Sequence, residues 1–207
     1  MRIGGFLKQS LIDWEGRLVA VVFTKGCNFR CGYCHNPSLV IPRLVECTPD
    51  IPSEAVLTYL KARRHWLDGV VVSGGEPTLQ PDLVQFLERV QQLGLAVKLD
   101  TNGTHPEVLT ELFWKKLVNF VALDVKHFVT QEDYARVTPT VTEAQVEAVR
   151  QTLALLREHP EVERQLRTTL IPGVHAAELS EALSALFAPQ TIRFQTFREG
   201  DLVRDYL

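Results

Sequence analysis

Three cysteines lie within eight positions of one another, in Gly26-Cys27-Asn28-Phe29-Arg30-Cys31-Gly32-Tyr33-Cys34-His35, a C-x3-C-x2-C spacing. Outside a disulfide framework, such a cluster reads as metal-binding or catalytic. Three thiolates from one loop can hold three corners of a cubane [4Fe–4S] cluster and leave the fourth iron without a protein ligand. An open coordination position is what a catalytic metal site requires, whereas a structural site is closed. The alternative offered by the residue types is a structural zinc ion bound by the three Cys and His35. Zinc sites usually pair their ligands as two short hairpins, and no second pair follows here. Cys47 stands alone in a Pro-flanked segment and reads as a partly buried free thiol, packing as a small hydrophobe.

Further polar clusters recur along the chain: Ser73-Gly74-Gly75-Glu76-Pro77, Asp100-Thr101-Asn102-Gly103, Asp124-Val125-Lys126 and Pro172-Gly173-Val174-His175. Each falls at or just past the C-terminal end of a short apolar run. Those runs, at 18–23, 70–73, 96–100, 120–125, 166–170 and 192–194, lack in-out alternation and read as parallel strands buried on both faces. Between them lie amphipathic helices. Pro81 opens one and Gly94 stops it, with Leu83, Phe86, Leu87, Val90 and Leu93 on its inward stripe. Thr142 with Gln145 forms a capping-box pattern ahead of Val146, Val149, Leu153 and Leu156. Further helices are expected at about 53–65, 106–117 and 176–187. Alternating strand and helix implies parallel βαβ units with right-handed crossovers, and six of them make an α/β partial (β/α)6 barrel or a curved open sheet. Ligands bind such sheets at the rim where the strands end, which is where these polar clusters lie.

The bulk properties narrow the class. The chain has 207 residues, 45% of them hydrophobic and 23% charged, with a net charge of -3. These values suit one globular domain spanning 1–207 and argue against disorder or a coiled coil. No strongly basic balance points to nucleic acid. No apolar run approaches the length needed to span a bilayer, and the N-terminus lacks the apolar region of a signal peptide. The expectation is a soluble, cytoplasmic protein. Lys61, Arg63 and Arg64 make a small basic run, read as a solvated helix face or as a docking patch for an acidic electron donor such as flavodoxin.

The C-x3-C-x2-C spacing, with Tyr33 just before its last Cys and Gly74-Gly75-Glu76-Pro77 at the end of the next strand, resembles the radical S-adenosylmethionine superfamily. More narrowly, the segment Gly5-Phe6-Leu7-Lys8-Gln9-Ser10-Leu11-Ile12-Asp13 and the run Cys34-His35-Asn36-Pro37 resemble the anaerobic ribonucleotide reductase activating proteins. That branch belongs to the activases of glycyl radical enzymes, as does pyruvate formate-lyase activating enzyme. The resemblance implies a [4Fe–4S] cluster on Cys27, Cys31 and Cys34 whose open iron binds S-adenosylmethionine. Reductive cleavage would yield methionine and a 5′-deoxyadenosyl radical that takes hydrogen from a glycine Cα of a partner enzyme, anaerobic ribonucleotide reductase before others.

Within that reading Gly74 and Gly75 let the backbone approach the cofactor's methionine moiety, and Glu76 accepts from its ammonium. Tyr33 lies against the adenine or packs over the cluster, Asn102 contacts the ribose or merely makes a turn, and Lys126 meets the cofactor carboxylate. Asp100, Thr101 and Asp124 match the segments that bind a monovalent cation in pyruvate formate-lyase activase. The cation is expected because three carboxylates beside Lys126 alone would be under-neutralised. His35, His127 and His175 are candidates for tuning or structural roles near the site.

Overall fold

In the computed structural model, which describes residues 1–176 and 178–207, seven strands form one sheet in the order β1 to β7. They are β1 (Ile3–Ser10), β2 (Val19–Thr24), β3 (Gly69–Gly74), β4 (Ala96–Thr101), β5 (Phe120–Asp124), β6 (Glu163–Leu170) and β7 (Ile192–Thr196). β1 runs antiparallel to β2, and every later neighbour is parallel. The six parallel strands are those expected from the apolar runs. The ordered sheet is not closed, since β1 and β7 are its two edges. The partial barrel therefore stands, with β1 as an added antiparallel strand that the sequence did not announce.

Two short helices, α1 (Pro37–Val40) and α2 (Pro42–Cys47), follow the cysteine loop, and α3 (Ser53–Arg63) leads into β3. Next come α4 (Leu83–Gln92), α5 (Pro106–Trp114), α6 (Gln131–Ala135), α7 (Glu143–Glu158) and α8 (Leu179–Phe187). Gly94 ends α4 at φ +77°, a left-handed conformation that glycine adopts at low cost. The Thr142–Gln145 capping box is formed at the start of α7. The helix expected at 176–187 is seen from Leu179 onward, and Ala177 lies outside the described residues.

Alternation along the strands sorts the two faces. Val70, Val72, Val97, Leu99, Val121 and Leu123 join Leu87, Leu112, Val149 and Leu156 in one large core on the helix side. Each such fully buried side chain contributes roughly 1.5–3 kcal/mol. The inner face differs. Trp14, Val19, Val21 and Val71 make a small apolar cluster at β1–β3, whereas β4–β6 present Lys98, Asp100, Asp124 and Arg167. The expectation of strands apolar on both faces holds on the helix side and fails inside, because the inner face is where the site is built. Among the described residues no helix is long and apolar enough to cross a membrane.

Candidate functional site

The cysteine loop is shaped by its own side chains. Phe29, 2% exposed, inserts into the core with its ring 6.4 Å from that of Tyr134. Arg30 folds back so that Nη1 donates to the carbonyls of Cys27 and Phe29 at 2.6 and 2.8 Å. Its backbone N–H donates to Thr138 Oγ1 at 3.1 Å. The three cysteines therefore face one cavity of about 600 Å³, also lined by Glu76, Asp124 and Lys126. Among the described residues no three His, Cys, Asp or Glu side chains converge closely enough to hold a single metal ion.

Burial pushes the Cys27 thiol up to about 12 and Cys31 up to about 11, and raises Cys34 as well. These thiols hold their protons until a metal displaces them. Cys47, at the end of α2, is exposed rather than partly buried as its sequence context suggested, because α2 presents it to solvent. In the metal-free protein at pH 8, iodoacetamide should alkylate Cys47 much faster than Cys27 or Cys31. The contrast should shrink as pH approaches 11, where the thiolate population of Cys31 grows. Peptide mapping after timed labelling checks this; equal labelling of all four cysteines at pH 8 would contradict the burial.

The Gly74-Gly75 pair is where the end of β3 meets the cysteine loop. Gly74 has φ +119°, and a Cβ there would lie 2.3 Å from Thr24 N; a Cβ on Gly75 would lie 2.0 Å from Gly26 O. These contacts are with the chain's own backbone at the start of the cysteine loop. Gly75 N donates to Thr24 O at 2.9 Å and Glu76 N to Gly26 O at 2.8 Å. Glu76, 1% exposed, is the knot that ties the β3 and β4 ends. Its Oε1 accepts from Thr78 N (3.1 Å), Thr78 Oγ1 (2.5 Å) and Thr101 Oγ1 (2.7 Å). Oε2 has a single donor, Asn102 N at 2.8 Å. Burial raises the pKa of this carboxyl, and the four donors oppose the shift.

Asn102 is held in a side-chain hydrogen-bond network. Its Oδ1 accepts from Thr104 N and Oγ1, and its Nδ2 donates to Asn28 Oδ1 at 2.8 Å. Asn28 in turn donates to Thr104 Oγ1 at 2.8 Å. The turn weighed for Asn102 is formed, and it fastens the cysteine loop to the end of β4.

The cation expectation does not fit the residues present. Asp100 and Asp124 do come together, but each of their four carboxylate oxygens already faces a cationic nitrogen. Lys98 Nζ is 3.4 Å from Asp100 Oδ1 and Arg167 Nη1 is 3.3 Å from Oδ2. Arg167 Nε is 2.8 Å from Asp124 Oδ1 and Lys126 Nζ is 3.4 Å from Oδ2. Thr101 Oγ1, the third expected ligand, donates to Glu76 and accepts from Gly103 N. Lys98 and Arg167 are the residues that sequence reasoning missed. Both are charges on the inner face of the sheet with little exposure, a position that demands partners. Burial opposes the charge of Lys126, but Asp124, Tyr33 and Cys31 together outweigh it and hold the ammonium well above the usual lysine range. The Asp124 carboxyl is itself disfavoured by burial, yet Arg167 and Lys126 together hold it below its ordinary value.

The remaining candidates fall around this centre. Lys126 Nζ lies 5.6 Å from the centroid of the Tyr33 ring, and both residues line the cavity. His175 acts as a strut: Nδ1 accepts from Ile171 N at 2.9 Å, so Nε2 carries the hydrogen donated to Lys126 O at 3.1 Å. His127 stacks 5.1 Å from His175, and burial lowers the pKa of both. His35 is exposed and donates to Arg198 O at 2.9 Å. The residues at 199–206 close the loop from outside, Val203 N donating to Cys34 O and Arg204 N to Gly32 O at 2.9 and 3.1 Å. By contrast Lys61, Arg63 and Arg64 sit where α3 returns to the start of β3, the opposite rim. A six-residue strand separates them from the cysteines, about 20 Å. That distance makes the solvated-face reading of the run the fitting one.

Residues 21–186 match the profile of the Radical SAM superfamily. A protein of Methanocaldococcus jannaschii named as a glycyl-radical enzyme activating enzyme is 41% identical over 60% of this chain and 50% of its own length. The pyruvate formate-lyase-activating enzyme of Clostridium pasteurianum is 32% identical over 66% of this chain and 57% of that enzyme. The chain thus spans about half the length of the curated relatives it matches. The crystal structure of Streptococcus suis SuiB bound to S-adenosylmethionine superposes with a TM-score of 0.62 at 15% identity, over 87% of this chain and 42% of that one, a likeness of fold.

Proposed function

The chain belongs to the radical SAM superfamily, and from that premise we propose that it generates a glycyl radical on a partner enzyme. When bound, a [4Fe–4S] cluster and S-adenosylmethionine supply reductive cleavage of the sulfonium and an adenosyl radical able to take hydrogen from a glycine Cα. The observation that carries the reading is the convergence of three cysteines from one loop with Glu76, Asp124 and Lys126 on one cavity.

In this reading Cys27, Cys31 and Cys34 hold the cluster. Glu76 Oε2, which has one protein donor, takes the cofactor's ammonium beside the Gly74-Gly75 backbone. Lys126, kept charged by Asp124, takes its carboxylate, and Tyr33 flanks the adenine. Buried side chains around the cysteines keep water from the reacting atoms. The single sheet whose strand ends position these residues supports treating 1–207 as one catalytic core, working in the cytoplasm with an acidic electron donor such as flavodoxin.

The partner placed first is anaerobic ribonucleotide reductase, on the likeness of the segments from Gly5 to Asp13 and from Cys34 to Pro37. The relatives described above support pyruvate formate-lyase as the second. The test is to reconstitute the cluster anaerobically and incubate the protein with each enzyme, S-adenosylmethionine and a reductant. A glycyl radical signal in electron paramagnetic resonance is expected with the reductase. Cleavage of S-adenosylmethionine without a radical on any glycyl enzyme would overturn this reading in favour of a small-molecule substrate.

A further inference from the structure

We propose that the Lys98 ammonium, with Arg167, takes the place of a monovalent cation at the carboxylate end of the S-adenosylmethionine site. The inference rests on the proposed function for the identity of the ligand, and on geometry for the rest. Lys98 is 6% exposed and stands on the inner face of β4, two residues before Asp100, so that both side chains point the same way. Its stem crosses Phe120, the residue opposite it in β5, with Nζ 5.6 Å from the ring centroid. The ammonium donates to the carbonyl of Asp13 and faces Asp100 Oδ1. That oxygen is buried and accepts no hydrogen bond, so the Lys98 charge is its neutralising neighbour.

Charge arithmetic supports the substitution. Asp100 and Asp124 carry two negative charges, against three positive charges on Lys98, Lys126 and Arg167. The surplus of one positive charge is met when a carboxylate-bearing ligand arrives. An alkali cation added to that set would restore an imbalance and would have to displace an ammonium from an aspartate oxygen. Lys98, Asp100 and Arg167 are buried enough that a missing countercharge among them is expensive.

The test compares Na⁺, K⁺ and N-methylglucamine as chlorides at equal ionic strength, so that screening is constant. Two quantities are read: S-adenosylmethionine affinity of the cluster-loaded protein by calorimetry, and the melting temperature of the protein without ligand. For the wild type both should be the same in all three salts, affinities agreeing within about twofold. Lys98→Met, which keeps the stem over Phe120, should bind about tenfold more weakly in N-methylglucamine and recover in Na⁺ or K⁺. Its melting temperature should show the same rescue, and Lys98→Arg should remain indifferent. A wild type that needs Na⁺ or K⁺ for affinity or for stability would overturn the proposal, as would a Lys98→Met protein without rescue. If no ligand binds in any salt, the proposed function fails, while the melting comparison still decides on Lys98.

Discussion

Cys31→Ala protein, reconstituted anaerobically, should carry almost no iron, against about four irons per chain for the wild type. The same loss is expected for Cys27→Ala and Cys34→Ala, because each thiolate holds one corner and two corners do not retain a cubane. The fold should survive. Cys31 is 7% exposed, and trimming its sulfur costs on the order of 1 kcal/mol, a fraction of the stability of a domain this size. Cys47→Ala should load as the wild type does, since Cys47 is exposed at the end of α2, away from the cavity lining. Iron and sulfide analysis with the visible absorption spectrum reads the result, and circular dichroism confirms folding. A Cys31→Ala protein that kept four irons, or a folded Cys47→Ala protein that lost them, would reassign the ligands.

The second large effect is expected at Gly75. A methyl group there would sit 2.0 Å from Gly26 O and 3.1 Å from Leu39 O, both backbone atoms without a rotamer to yield. Relief requires the β3 end to separate from the cysteine loop, breaking the bonds from Gly75 N to Thr24 O and from Glu76 N to Gly26 O. Two backbone hydrogen bonds at about 1 kcal/mol each, added to an overpacking cost of about 1–3 kcal/mol, give a loss of about 3–5 kcal/mol. For a chain of this length that lowers the melting temperature by roughly 6–20 °C. Gly94→Ala is the comparison, since its left-handed φ is strained by any side chain but a Cβ there meets nothing within 4 Å. It should lose only about 1 kcal/mol. Gly75→Ala melting as high as Gly94→Ala would show that the loop junction is softer than its contacts imply.

Much of the framework was legible because hydrophobicity dictates it. Apolar runs such as Val70-Val71-Val72 call for cover on both faces of a sheet, and the amphipathic stripe of α4 names its own partner face. β1 was not legible: it is a half-exposed edge strand that opens with two glycines among mixed polar residues, so neither alternation nor a continuous apolar run marks it. At the site, the spacing of the cysteines and the glycine-rich turn identified where atoms converge but not which atoms fill the space. Gly74 and Gly75 admit the chain's own backbone, and Asn102 serves Asn28 and Thr104. Lys98 and Arg167 passed unnoticed because the strands were read as hydrophobic runs. A lysine two residues before an aspartate in such a run was a sign of an internal ion pair. The basic run on α3 lies away from the cysteines for a topological reason, since a crossover helix returns its C-terminus to the rim where strands begin.

The hydrogen bonds from Val203 and Arg204 to the carbonyls of Cys34 and Gly32 have a bearing on maturation in the cell. The cysteines emerge early in translation, whereas their outer clasp is made by residues synthesised long afterwards, and contacts of such wide sequence separation form late in folding. On a ribosome-bound chain the loop would stand unclasped, open to whatever delivers iron and sulfide. Once the segment around Val203 docks, the same loop is covered on its solvent side. Cofactor insertion and completion of the fold would then compete in time, and the order in which they occur would set the yield of active protein.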